Sequence, residues 1–127
     1  MPRLLTEIST VRVFCPDLPR SVAFYRDVLE LPVQFEGPGY ALFATGQATL
    51  LLEAAAPDDE DEAFVRRFLG VTFTAPDIAE TYRVLTARGV EFLHAPEAQV
   101  WGGVMTHFRD PAGNVLTAVE YGHPAPP

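Results

Sequence analysis

Residues 108–121 read FRDPAGNVLTAVEY. Asp110-Pro111-Ala112-Gly113-Asn114 is turn chemistry: Asp at a turn's first position bonds back to the backbone, Pro presets φ, and Gly or Asn accepts a positive φ. Val104 to Phe108 precedes the turn and Val115 to Tyr121 follows it, both rich in strand formers. The stretch is a hairpin, and strand alternation fixes which of its side chains share a face.

Working outward, the chain shows internal self-similarity. Thr10 to Val28, TVRVFCPDLPRSVAFYRDV, falls on Gly70 to Arg88, GVTFTAPDIAETYRVLTAR, at an offset of 60 residues. Val11 meets Val71, Val13 meets Phe73, Pro16-Asp17-Leu18 meets Pro76-Asp77-Ile78, and Ser21 meets Thr81. A small shift of offset lays Val33-Gln34-Phe35 on Val90-Glu91-Phe92. Each copy opens with a strand, alternating at Val11, Val13 and Cys15 in the first and at Val71, Phe73 and Ala75 in the second. Pro16 and Pro76 end these strands, and Asp17 and Asp77 are placed to cap helices, Asp77 with Glu80 in a capping-box arrangement.

The spacing predicts a helix from about Leu18 to Leu29, with Leu18, Val22, Tyr25, Val28 and Leu29 on one stripe. A second runs from about Ile78 to Arg88, with Ile78, Tyr82 and Leu85 inward and Gly89 as its stop. Strands are then expected at Pro32–Glu36, Tyr40–Ala44 and Ala48–Glu53, and in the second half at Val90–His94, Trp101–Phe108 and Val115–Tyr121. Both halves read β-α-β-β-β. The expected plan is a single domain of two repeats: a module over about 7–56, an acidic linker over 57–69 with room for a helical turn, a second module over 70–121, and a tail over 122–127.

Composition narrows the function. A length of 127 residues with 48% hydrophobic content suits one globular domain. The net charge of −8 is concentrated, because five of the seventeen acids lie in Asp58 to Glu62. Without them twelve acids face nine bases, a balance of −3. Nucleic acid, which wants a basic patch, is not an expected partner. Membrane insertion is not expected either, for want of a run near the roughly 18 apolar residues of a span. The N-terminus MPRLLTEIST lacks the plan of a secretory signal, and the one cysteine, Cys15, can form no internal disulfide; both point to the cytoplasm.

The phrases PDLPRSVAFYRDVLEL and FRDPAGNVLTAVEY within a paired βαβββ plan resemble the vicinal oxygen chelate superfamily, which includes glyoxalase I, bleomycin-resistance proteins, fosfomycin-resistance enzymes and extradiol dioxygenases. The resemblance spans roughly Glu7 to Tyr121. It implies an α+β fold of two βαβββ modules whose curved mixed sheets surround a cleft, and a homodimer. It also implies four metal-ligand positions: seven before the capping Asp of each half, and one late in the last strand of each half. These fall on Thr10, Gly70, Glu53 and Thr117, and only Glu53 is of ligand type. No metal and no other cofactor is therefore expected.

The remaining candidates are binding residues. Glu53 shares a face with Thr49 and Leu51 and could receive a cationic group or act as a base; the plainer reading pairs it with Arg12. Arg12 could hold an anion or balance Glu53. A regular strand would put His107 on a face with Trp101, Gly103 and Met105, suited to an aromatic or cationic ligand, although Gly102-Gly103 could bulge it. The plainer reading there is a core Trp and a hydrogen-bonded His. Thr10, Thr72, Thr74 and Thr117 would add hydroxyls. His94 and His123 fall in loops and receive no role, and Cys15 reads as an inert buried thiol. The leading expectation is metal-free binding of a small organic molecule, with Arg12, Glu53, Trp101, His107, Thr10 and Thr117 lining the pocket. The alternatives are a divergent lyase, isomerase or dioxygenase, with metal or base from His107 and Glu53, and a sensor or partner subunit.

Overall fold

The computed structural model describes residues 4–6, 8–55 and 66–122. The acidic run Asp58–Glu62 and the tail from residue 123 lie outside the described residues. The chain divides into two compact units, Met1–Val65 and Arg66–Pro127.

In the first unit, β1 (Thr10–Cys15) leads into helix α1 (Leu18–Ala23), followed by β2 (Val33–Glu36), β3 (Tyr40–Thr45) and β4 (Ala48–Ala54). The sheet order is β1-β4-β3-β2, with β1 parallel to β4 and the other pairs antiparallel. One face is core: Val13 and Cys15 of β1, Ala41 and Phe43 of β3, and Leu50 and Leu52 of β4 are buried. Leu18, Val22 and Tyr25 cover it from the helical layer. Burial of such side chains contributes about 1.5–3 kcal/mol each.

Asp17 caps α1 as its position predicts, accepting from the Arg20 amide at 3.2 Å. The helix expected to continue to Leu29 changes character after Ala23. Phe24–Val28 forms a π-helical turn, closed by the Leu29 amide donating to the Phe24 carbonyl at 2.9 Å. The wider turn accompanies full burial of Tyr25, whose ring meets Phe24 edge-on and Phe43 at a tilt.

The second unit repeats the order: β5 (Phe68–Thr74), α2 (Ile78–Ala87), β6 (Glu97–Ala98), β7 (Val104–Arg109) and β8 (Val115–Glu120), in a sheet ordered β5-β8-β7-β6. Both sheets are four-stranded and mixed, and the fold is α+β. Asp77 accepts from the Glu80 amide at 3.1 Å, but the Glu80 carboxylate turns to Arg83 rather than closing a capping box. Glu120 of β8 instead receives the Ile78 amide at 2.9 Å. At the other end, Gly89 takes φ +89. The Val90 amide reaches the Leu85 carbonyl and the Gly89 amide that of Thr86, a Schellman stop.

Three strand expectations need correction. β5 begins at Phe68, two residues before the expected start. Val90–His94 is not a strand; it runs beside β7 with one bridge, Phe92 to Phe108. There the His94 carbonyl is taken by the Thr106 hydroxyl and Pro96 has no amide to offer, so the ladder resumes only at β6. Finally, Trp101–Gly103 belongs to a turn: Gly102 has φ +103 and its amide donates to the Gln99 carbonyl, so β7 starts at Val104.

The opening hairpin turn is held from inside. Asp110 and Asn114 are buried. Asp110 Oδ1 accepts from the amides of Ala112 (2.9 Å) and Asn114 (3.0 Å), while Asn114 Nδ2 donates to Asp110 Oδ2 at 3.1 Å. Asn114 Oδ1 in turn receives the Arg67 amide, which ties the turn to the entry of β5. No helix among the described residues is long and apolar enough to cross a membrane.

Candidate functional site

Each sheet has a face turned away from its helix, and alternation assigns its residues. On the first sheet these are Thr10, Arg12 and Phe14 of β1, Thr49, Leu51 and Glu53 of β4, and Tyr40 and Leu42 of β3. Phe35 of β2 joins them, stacked on Tyr40 with ring centroids 5.0 Å apart. Among these aromatic and aliphatic side chains lies one ion pair. Arg12 donates from Nε (3.1 Å) and Nη2 (2.9 Å) to Glu53 Oε1, and from Nη2 to Oε2 at 3.2 Å. Its side chains are 55% and 33% exposed, and Arg12 also lies 5.0 Å from the Phe14 ring centre. The plainer expectation for Glu53, a partly solvated carboxylate paired with Arg12, describes this geometry. Thr10 sits at the exposed start of β1, beside Ser9.

On the second sheet the open face carries Phe68, Thr72 and Thr74 of β5, Thr117 and Val119 of β8, and Met105 and His107 of β7. Thr117 pairs in register with both Thr72 and His107 and is buried. Trp101 reaches this face by an unexpected route. Its indole lies over Gly103, where a Cβ would come 2.1 Å from the ring, and its ring sits 6.2 Å from that of Tyr121. Trp101 stays 49% exposed, so it is not a core tryptophan.

The sequence assigns His94 no role, and the structure places it beside His107. Its Nε2 lies 2.8 Å from His107 Nδ1, and its Nδ1 lies 2.8 Å from the Ala95 carbonyl and 3.7 Å from Glu97 Oε1. His107 also meets the Phe68 ring edge-on at 5.8 Å. Burial, then the neighbouring His94, push the His107 pKa down from 6.5, with Glu97 opposing. The only sequence signal for this pair was two histidines flanking the β6 segment, which by itself selects nothing.

The four positions at which the resemblance implies metal ligands hold little donor chemistry. Thr10 and Thr117 offer hydroxyls, Gly70 offers no side chain, and the Glu53 carboxylate is engaged by Arg12. A divalent ion wants several anionic or imidazole donors. This donor set does not fit one.

A model of the glyoxalase/bleomycin resistance protein/dioxygenase superfamily matches residues 7–117, and the chain belongs to that family. A bleomycin resistance protein from Klebsiella pneumoniae is 28% identical over 123 residues, covering 91% of this chain and 94% of that protein. A superfamily member from Sphaerobacter thermophilus superposes with a TM-score of 0.81 at 25% identity, covering 93% of this chain and 99% of the other. The bleomycin resistance determinant encoded on transposon Tn5 gives a TM-score of 0.68 at 26% identity, over 91% of this chain and 98% of that one.

Proposed function

We propose that this protein binds a small organic molecule without a metal ion and acts by sequestering a drug or metabolite. The observation that carries the reading is the donor set. Of the four positions where a metal-dependent relative needs ligands, one has ligand chemistry, and its carboxylate is held by the Arg12 guanidinium through three hydrogen bonds. The open sheet faces support the reading from the other side. Phe35–Tyr40 and Trp101–Tyr121 present aromatic surface, and Arg12–Glu53, His107 and the threonines supply a few polar groups, the composition that suits small-molecule recognition. The bleomycin resistance relatives support a drug as the class of ligand.

The test is a thermal-shift screen of aromatic and cationic compounds, metal-free bleomycin among them, with and without chelator. Stabilisation by a hit is expected to be the same in both arms. Stoichiometric Zn, Ni, Mn or Fe in the purified protein, lost in Glu53→Ala, would overturn the proposal. One observation favours a second reading, catalysis by a divergent lyase, isomerase or dioxygenase: the hydrogen bond to His94 gives His107 the setting of a proton acceptor. Turnover of a screened compound, abolished in His107→Gln, would favour it over sequestration.

A further inference from the structure

The two imidazoles of the second unit define a proton arrangement by elimination. A backbone carbonyl only accepts, so the His94 nitrogen beside Ala95 O, Nδ1, carries the hydrogen of that 2.8 Å contact. When each ring carries a single hydrogen, His94 Nε2 is then a lone pair. The hydrogen of the 2.8 Å contact between the rings therefore belongs to His107 Nδ1. That leaves His107 Nε2 as a lone pair in turn. No described residue bonds this nitrogen. Every buried side-chain nitrogen or oxygen among the described residues has a partner, so Nε2 opens to solvent. A metal between the rings is ruled out by their separation, which is that of a hydrogen bond.

The surroundings say what should meet that lone pair. His107 lies on the open face with Met105 and Thr117, against the edge of Phe68. The exposed Trp101 and its neighbour Tyr121 extend the aromatic surface along the same face. Arg109, the nearest cation on β7, is taken by Glu91 at 2.8 Å, so an anionic ligand group finds no free partner there. Behind His107, the His94 ring leads to Ala95 O and the Glu97 carboxylate. Nε2 is thus an acceptor for a neutral donor, and the aromatic surface beside it suits a donor carried on an aromatic ring, such as a phenol hydroxyl.

We propose that His107 Nε2 is the hydrogen-bond acceptor for the hydroxyl of a hydroxyaromatic ligand seated on the open face of the second sheet, with His94 as the positioning residue that fixes its tautomer. This rests on the small-molecule-binding reading and narrows its ligand class.

The test uses the full-length ¹⁵N-labelled protein at pH 8 with 4-fluorophenol and 4-fluoroanisole, which differ by capping the hydroxyl. Long-range ¹H–¹⁵N spectra should show His107 protonated at Nδ1 and bare at Nε2. 4-Fluorophenol should move the Nε2 resonance and bind about 3- to 10-fold tighter than 4-fluoroanisole, the worth of one hydrogen bond. His94→Ala should mix the His107 tautomers and bring the two affinities together without weakening 4-fluoroanisole. His107→Phe, which keeps a ring against Phe68, should do the same to the affinities if the alanine variant does not fold. A proton on Nε2, or equal affinities in the unmodified protein, overturns the assignment while leaving small-molecule binding intact. Failure of both probes to bind, with screen hits still stabilising the protein, overturns it as well.

Discussion

His107 lies 2.8 Å from a second imidazole, and burial, then that neighbour, hold its pKa below the ordinary value. Its folded pKa lies below 6.5, so between the two values the unfolded chain binds a proton that the folded chain refuses. Stability should therefore fall as pH descends from about 6.5. His107→Gln should flatten that part of the profile, read as urea midpoints between pH 8 and 5; an unchanged slope would remove His107 as its source. Asp27 and Glu80, both held below their ordinary values by arginine hydrogen bonds, lose their contributions only further into the acid range. The Arg12–Glu53 pair differs in kind. It is half-exposed, so it contributes at most about 1 kcal/mol to stability. Its guanidinium also engages both oxygens of the one carboxylate among the four implied ligand positions.

Among the elements, the β7–β8 turn concentrates the most bonding in the fewest residues. Asp110→Ala removes acceptors from two amides and the Asn114 side chain at a buried site, and should cost about 3 kcal/mol. Equilibrium urea unfolding measures this, and a loss below about 1 kcal/mol would show that water replaces the carboxylate. This turn was legible in the sequence because its bonding is local: Asp, Pro, Gly and Asn stand within five positions. The capping of both helices by Asp17 and Asp77 was legible for the same reason, as was the alternation of Val13 with Cys15. What could not be read was set by distant partners. Val90–His94 looks like a strand, yet after two backbone bonds to β7 its ladder stops where the His94 carbonyl is taken by the Thr106 hydroxyl, twelve residues on. Trp101 keeps the face predicted for it only because Gly103 leaves room for the indole. His94 was missed because nothing in local spacing tells a loop histidine that its partner waits thirteen residues on.

At the scale of the whole molecule, each unit owns a sheet, a helical layer and a buried set of side chains, so each has an internal reporter of its integrity. For the first unit that reporter is Cys15, fully buried with its thiol directed to the Val13 carbonyl. Reaction with Ellman's reagent should be on the order of a hundredfold or more slower in native protein than in urea, because the sulfur is reached only through an opening of the sheet. A fast native reaction would place the thiol outside the core. The two sheets were predictable as a repeat, since the same alternation and capping signals occur twice.

The repeat is imperfect at β5. Between Phe68, opposite Val115, and Thr72, opposite Thr117, three residues stand against one, and Gly70 in their midst takes φ +70 with open space where a Cβ would be. An imidazole placed at 70 would meet no steric obstacle, but its backbone would carry about 1–2 kcal/mol of left-handed strain in an already bulged strand. A ligand-bearing residue at position 70 would therefore call for a change in the path of the main chain as well as in the side chain.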